Sequence, residues 1–232
     1  MESVAKCIRE RFFATSVTAI IPAYNEAATV GKVVQAVSKA KVDEIIVVDD
    51  GSCDETAEVA RRAGAKVLVH ARNRGKGCAM KTGLNAASGK IVVFIDADLK
   101  SLTPQKVNML IEPILKGKAD FVKSYFSSYK SKTGTSIFLY RPLLKHLFST
   151  TAFKHPVSGQ IAGWKSFFDD IEFRNDYGID ISILIDAIRR RMRIKEVCLG
   201  KLSHKPKSPR EVMEMADVII QTILEKADVL KR

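Results

Sequence analysis

Along the first hundred residues, continuous apolar runs alternate with stretches of helical spacing. Residues 17–22, 44–49, 66–70 and 91–96 read as four strands. Between them, residues 26–39 place Val30, Val33, Val34 and Val37 at helical intervals, and residues 55–63 and 77–87 read as two further helices. The runs IIVVD and IVVFID are uninterrupted and β-branched, which marks strands buried on both faces. Strand and helix alternating at this spacing predict an α/β fold with a mainly parallel central sheet flanked by helices. Beyond residue 100 the pattern loosens. Residues 104–116, 136–148 (in spite of Pro142) and 179–190 read as helices, 121–126 and 194–199 as strands, and the polar stretch 127–135 as a loop. From Glu211 onward, Val212, Met215, Ile219, Ile223, Ala227 and Leu230 form one helical stripe. That stripe packs either on its own domain or on a second copy in a two-fold homodimer. No linker or internal repeat divides residues 1–232, so one domain is expected.

Composition narrows the class. The chain has 232 residues, 46% hydrophobic and 28% charged, enough to build a core and unlike a disordered or collagenous chain. Cys7, Cys53, Cys78 and Cys198 lie far apart without a C-x-x-C pair, which argues against a zinc ribbon or a disulfide scaffold and for reduced thiols in a cytoplasm. Residues 1–16 carry Glu2, Lys6, Arg9, Glu10 and Arg11 and do not read as a secretory signal. No apolar run approaches the roughly 18 residues of a membrane span. Lys and Arg number 38 against 26 Asp and Glu, a formal +12. Such an excess suits nucleic acid, an anionic membrane surface or phosphorylated small molecules. No aromatic RNA-binding motif or helix-turn-helix accompanies it, so nucleic acid is not the expected partner.

The polar residues sit where chemistry is expected. Asp49, Asp50, Asp96 and Asp98 each follow an apolar run directly, and open α/β sheets bind ligands beyond the carboxyl ends of their strands. Asp96 and Asp98, one residue apart, can either hold a hard cation such as Mg²⁺ or Mn²⁺ or simply cap a turn. Arg72-Asn-Arg-Gly-Lys-Gly77 precedes a helix, where backbone N–H groups favour anions and Arg74 and Lys76 add charge. The spacing matches neither a P-loop nor a dinucleotide fingerprint, and a solvated basic turn is the plain alternative.

Four motifs in order make the pattern specific: Ile21-Pro-Ala-Tyr-Asn-Glu26, Val47-Val-Asp-Asp-Gly-Ser-Cys-Asp-Glu-Thr56, Asn73-Arg-Gly-Lys-Gly77 and Asp96-Ala-Asp98. Together they resemble the family 2 type of GT-A glycosyltransferases, enzymes of Rossmann-like fold that use nucleotide-diphosphate sugars. In the second half Arg141-Pro-Leu-Leu144, His155-Pro-Val-Ser-Gly-Gln160, Tyr177-Gly-Ile-Asp-Ile181 and Val197-Cys-Leu-Gly200 through His204 are similar to the glucosyl-3-phosphoglycerate synthase group. The mannosyl counterparts are more distant.

This resemblance implies a nucleotide-binding half over residues 17–100, an acceptor-binding half over 101–210 and an amphipathic helix over 211–232. It implies that Pro22, Tyr24 and Glu26 contact the nucleotide and that Asp50, or its neighbour Asp49, reads a uracil or guanine base. Lys76 lies near the diphosphate, with Asp96 and Ala97 beside the ribose or sugar. Asp98 and His204 hold the Mg²⁺ or Mn²⁺, and Gly159, Tyr177 and Asp180 line the sugar and acceptor pocket. Asp98, Asp180 and Lys76 are the expected catalytic residues. The reaction implied is transfer of a hexose from a UDP- or GDP-sugar to a small phosphorylated acceptor such as 3-phosphoglycerate, with retention. The alternative is a polyprenyl-phosphate sugar synthase working at a membrane surface, whose N-terminal half shares these motifs. One segment departs from the group. Its acceptor loop carries Gly-Arg-Val-Thr, whereas this chain reads Lys132-Thr-Gly134-Thr135-Ser136, with Gly134 at the arginine position. Lys130 and Lys132 bring charge there without a bidentate fork.

Overall fold

The computed structural model describes residues 15–127, 139–150, 153–201 and 208–229. Its strands are β1 (Val17–Ala23), β2 (Glu44–Asp49), β3 (Lys66–Val69), β4 (Ile91–Phe94), β5 (Phe121–Tyr125), β6 (Ile161–Trp164) and β7 (Ile194–Cys198). They form one sheet in the order β3-β2-β1-β4-β6-β5-β7. All pairings are parallel except those of β6, which runs against both β4 and β5. The helices are α1 (Val30–Ser38), α2 (Thr56–Arg62), α3 (Lys76–Ala86), α4 (Pro104–Leu115), α5 (Arg141–Phe148), α6 (Lys165–Asp169), α7 (Ile179–Arg189) and α8 (Pro209–Lys226). This is the mainly parallel α/β architecture that the alternation implies.

The continuous apolar strands are buried on both faces, as their composition requires. In β4, Ile91 and Val93 enter the core beneath α1 and α4, whereas Val92 and Phe94 enter the core beneath α3 and α7. Ile20 and Ile21 of β1 divide between the same two cores. Pro142 lies in the first turn of α5, where a missing N–H costs no intrahelical bond, so it starts that helix instead of breaking it. Two elements escape the sequence pattern. Short β6 (IAGW) has no β-branched run, and α6 is barely one turn long.

The stripe of α8 is used in two ways. Ser208 and Glu211 close a reciprocal capping box at its start. Ile219, Thr222 and Ile223 are buried against the chain's own domain, and Lys226 places Nζ 2.8 Å from each oxygen of Asp186 on α7. Towards the N-terminal end Val212 and Met215 stay partly exposed, and Met213 is 73% exposed. Leu230 lies outside the described residues. Among the described residues no helix is long and apolar enough to cross a membrane.

Candidate active site

The loops after β1 and β2 are stitched into one ledge. Asn25 N–H donates to Ser52 Oγ at 2.8 Å, Cys53 N–H donates to Asn25 Oδ1 at 2.9 Å, and Glu26 N–H donates to Thr56 Oγ1 at 2.8 Å. Asn25 takes a left-handed backbone, φ 55°, which asparagine tolerates. Pro22, next to last in β1, is partly buried, and Tyr24 stands 46% exposed on the ledge.

Asp49 and Asp50 are both buried and do different work. Asp49 Oδ1 accepts from Ser52 N–H at 3.0 Å and from Ser52 Oγ at 2.5 Å, closing the turn after β2. Asp50 accepts from the N–H groups of Arg74 (3.0 and 3.1 Å) and Gly75 (2.8 Å), and His70 Nδ1 lies 2.5 Å from Oδ1. His70 Nε2 in turn meets Thr82 Oγ1 at 2.9 Å. The anion held by the backbone ahead of α3 is therefore the chain's own Asp50 carboxylate.

Lys76 is the first residue of α3 and sits between two carboxylates. Its Nζ is 2.8 Å from Asp96 Oδ1, just beyond β4, and 2.9 Å from Asp180 Oδ2, in the first turn of α7. Burial alone pulls the Lys76 ammonium towards neutrality, but Asp180 and Asp96 outweigh it, so the pKa is raised and the cation is secure. The other Asp96 oxygen accepts from Gln160 Nε2 at 2.5 Å. Asp180 Oδ1 is buried and has no hydrogen-bond partner among the described residues. An orphaned carboxylate oxygen is costly unless a ligand group, such as a hydroxyl, completes it.

Gly159 closes the cluster. A Cβ at this position would lie 2.6 Å from Lys76 Nζ and 2.6 and 2.7 Å from the two Asp96 oxygens, so any side chain here would push the Lys76–Asp96 pair aside. Ala97 is buried behind Asp96, and Asp98 is partly buried one residue further on. Tyr177 is 55% exposed, three residues before Asp180. The structure thus brings Lys76, Asp96, Gly159 and Asp180 into contact. His204, Gly134, Thr135 and Ser136 lie outside the described residues.

The carboxylates that follow β4 are of the hard type that binds Mg²⁺ or Mn²⁺. Among the described residues no three His, Cys, Asp or Glu side chains gather into a metal-binding group. Both Asp96 oxygens are engaged, by Lys76 and by Gln160, and Asp98 is a second carboxylate at the same strand end.

Sequence reasoning missed the layer beneath. Lys123 of β5 is fully buried and donates from Nζ to Ser158 O at 2.7 Å. Burial lowers its pKa to about 8, Asp180 opposing the shift and Lys76 adding to it. Ser124, Ser158 and Gln160 form a buried chain of hydrogen bonds leading to Asp96. The signal was present: a lysine and a serine interrupt an otherwise apolar strand, and Ser158 and Gln160 flank Gly159. His155 accepts from Phe126 N–H at Nδ1 (3.1 Å), and its pKa is lowered by burial, then by Arg141 and Lys123.

A mainly parallel sheet with one reversed strand, and a lysine–carboxylate cluster at its carboxyl edge where such sheets bind ligands, agree with the GT-A type sugar-transferase fold that the motifs imply. The chain belongs to glycosyl transferase family 2, whose model matches residues 18–174. Glucosyl-3-phosphoglycerate synthase of Mycobacterium tuberculosis (strain H37Rv) is 32% identical over 240 residues, a match covering 92% of this chain and 74% of that protein. A crystal structure of the M. tuberculosis synthase with Mn²⁺, UDP-glucose and phosphoglyceric acid is similar at TM-score 0.87 and 31% identity, over 97% of this chain and 84% of that one. Another, with Mg²⁺ and UDP, is similar at TM-score 0.86 and 31% identity, over 97% of this chain and 84% of that one.

Proposed function

We propose that this glycosyltransferase moves glucose from UDP-glucose to 3-phosphoglycerate in the cytoplasm, with retention and with Mg²⁺ or Mn²⁺ bound by Asp98 and His204. The observation that carries the reading is the Lys76 cation held between Asp96 and Asp180 against Gly159. It fixes an ammonium, compensated by two carboxylates, where a diphosphate can approach, and it leaves an unsatisfied acceptor, Asp180 Oδ1, for a sugar hydroxyl. The likeness to the mycobacterial synthase, across nearly the whole chain, supports the choice of donor and acceptor.

In this reading the ledge of Pro22, Tyr24 and Glu26 carries the nucleotide, with Tyr24 stacking on the base that Asp49 or Asp50 reads. Lys76 stabilises the departing diphosphate, with Asp96 and Ala97 beside the ribose and sugar. Asp180 and Gly159 orient the hexose, and Tyr177 borders the acceptor with Gly134, Thr135 and Ser136. When bound, the cation neutralises charge developing on the leaving group.

A donor-by-acceptor panel tests the proposal. UDP-glucose with 3-phosphoglycerate is expected to give the fastest turnover, ahead of GDP-mannose and of a polyprenyl phosphate presented in vesicles. Transfer to the polyprenyl phosphate alone would replace this reading with the membrane-surface one. The partly exposed start of α8 also fits a two-fold dimer, for which light scattering at tens of micromolar protein is expected to give the mass of two chains. A mass of one chain would remove the dimer.

A further inference from the structure

Lys123 poses a physical problem. It lies on β5 between β6 and β7, its Cα opposite Ile161 and Glu196, and its side chain is fully buried. A buried ammonium pays heavy desolvation unless its surroundings compensate, and the only close partners among the described residues are backbone oxygens. Nζ reaches Ser158 O at 2.7 Å and, at the outer limit of a hydrogen bond, Asp180 O at 3.5 Å.

Those two oxygens belong to the two segments that build the cluster around Lys76. Ser158 begins the Ser-Gly-Gln turn whose Gly159 lies against Lys76 and whose Gln160 donates to Asp96. Asp180 is the residue whose carboxylate accepts from Lys76. The neighbouring Ser124 braces the same turn: its N–H donates to Gln160 O at 3.0 Å, and its hydroxyl meets Ser158 Oγ and Gln160 Oε1. With its Oε1 occupied by hydroxyls, the Gln160 amide must present Nε2 to Asp96. The result is a closed ring: Lys123, the Ser158–Gln160 turn, Asp96, Lys76, Asp180 and back to Lys123. Two lysines and two aspartates balance within it.

We infer that Lys123 is a positioning residue for sugar transfer: from beneath the pocket it ties the Ser158–Gln160 turn to the first turn of α7, so that Asp96, Gly159 and Asp180 hold their places around Lys76. It touches no substrate and acts through those groups. The inference rests on the proposed transferase function.

The ring orients the sugar end of the donor, whereas the nucleotide sits on the ledge after β1 and β2. Lys123→Met keeps the length of the side chain and removes the charge and the donor. It is expected to lower kcat at least about tenfold, as small displacements of reacting groups do, while UDP binds within about threefold of wild type at one per chain by calorimetry in Mn²⁺. UDP-glucose should lose whatever affinity it gains over UDP. A merely structural role would instead reduce the number of UDP sites along with the turnover. Lys123→Gln, which retains one donor for Ser158 O, should recover part of kcat and serves as the second variant if the first does not fold. A folded Lys123→Met with kcat within about threefold of wild type would overturn the inference. So would loss of UDP sites in proportion to activity, or failure of both variants to fold. A wild-type chain that binds UDP-glucose yet transfers no glucose to any acceptor would count against the proposed function, and the comparison of UDP and UDP-glucose affinities would still judge Lys123.

Discussion

Asp98→Ala is expected to lose at least about two orders of magnitude in kcat/KM, about 2.7 kcal/mol of transition-state stabilisation. The reason is the metal role that the proposed function gives Asp98, a hard carboxylate of the type Mg²⁺ and Mn²⁺ prefer, at the end of β4. EDTA should stop wild-type turnover, and added Mn²⁺ should restore the wild type but not the variant. A thermal melt of the variant separates loss of the metal ligand from loss of the fold. Full wild-type activity in EDTA, or a variant within about threefold of wild type, would exclude a metal role for this residue.

Gly77→Ala is expected to destabilise the fold by roughly 3 kcal/mol or more and to abolish transfer. An added Cβ at Gly77 would lie 1.6 Å from the carbonyl oxygen of Arg174, and one at Gly75 would lie 2.1 Å from that of Asn175. These are backbone atoms and cannot swing aside. Segment 174–175 is itself pinned, since Arg174 pairs with Glu225 of α8 and with Asp176. Relief would therefore shift the start of α3 and take Lys76 out of register with Asp96 and Asp180. Gly31→Ala is the control. It is also a helical glycine, and its added Cβ meets only the tip of the Val59 side chain, at 3.0 Å. Both replacements gain the same intrinsic helix preference, so the difference in urea midpoint between the two variants isolates the backbone clash. Equal midpoints would mean that residues 174–175 do not lie against α3.

Much of the parallel sheet was legible because strands buried on both faces announce themselves as unbroken β-branched runs. Residues 44–49 coincide with β2 end to end, and the other three early strands differ only at their ends. The carboxyl ends of those strands, and hence Asp49, Asp50, Asp96 and Asp98, could be marked as a ligand-binding edge from local pattern alone. β6 could not, because four residues containing Gly163 and Trp164 carry no periodicity, and an antiparallel strand inserted into a parallel sheet is a choice made by its neighbours. The basic turn before α3 was legible as an anion site, but not which anion fills it. Asp49 and Asp50 are adjacent in sequence, and only the path of the chain after β3 brings the N–H groups of Arg74 and Gly75 onto the second of them.

By itself, then, the sequence determined the strands, most of the helices, the family motifs and the strand ends where chemistry collects, since each of these depends on residues a few positions apart. The tertiary structure decided the partnerships. Lys76 meets Asp180 across 104 residues of chain, Gln160 meets Asp96 across 64, and Lys123 reaches Ser158 across 35. Such pairs depend on how separate elements pack and on which buried polar atoms must be satisfied once water is excluded, and no local pattern encodes that.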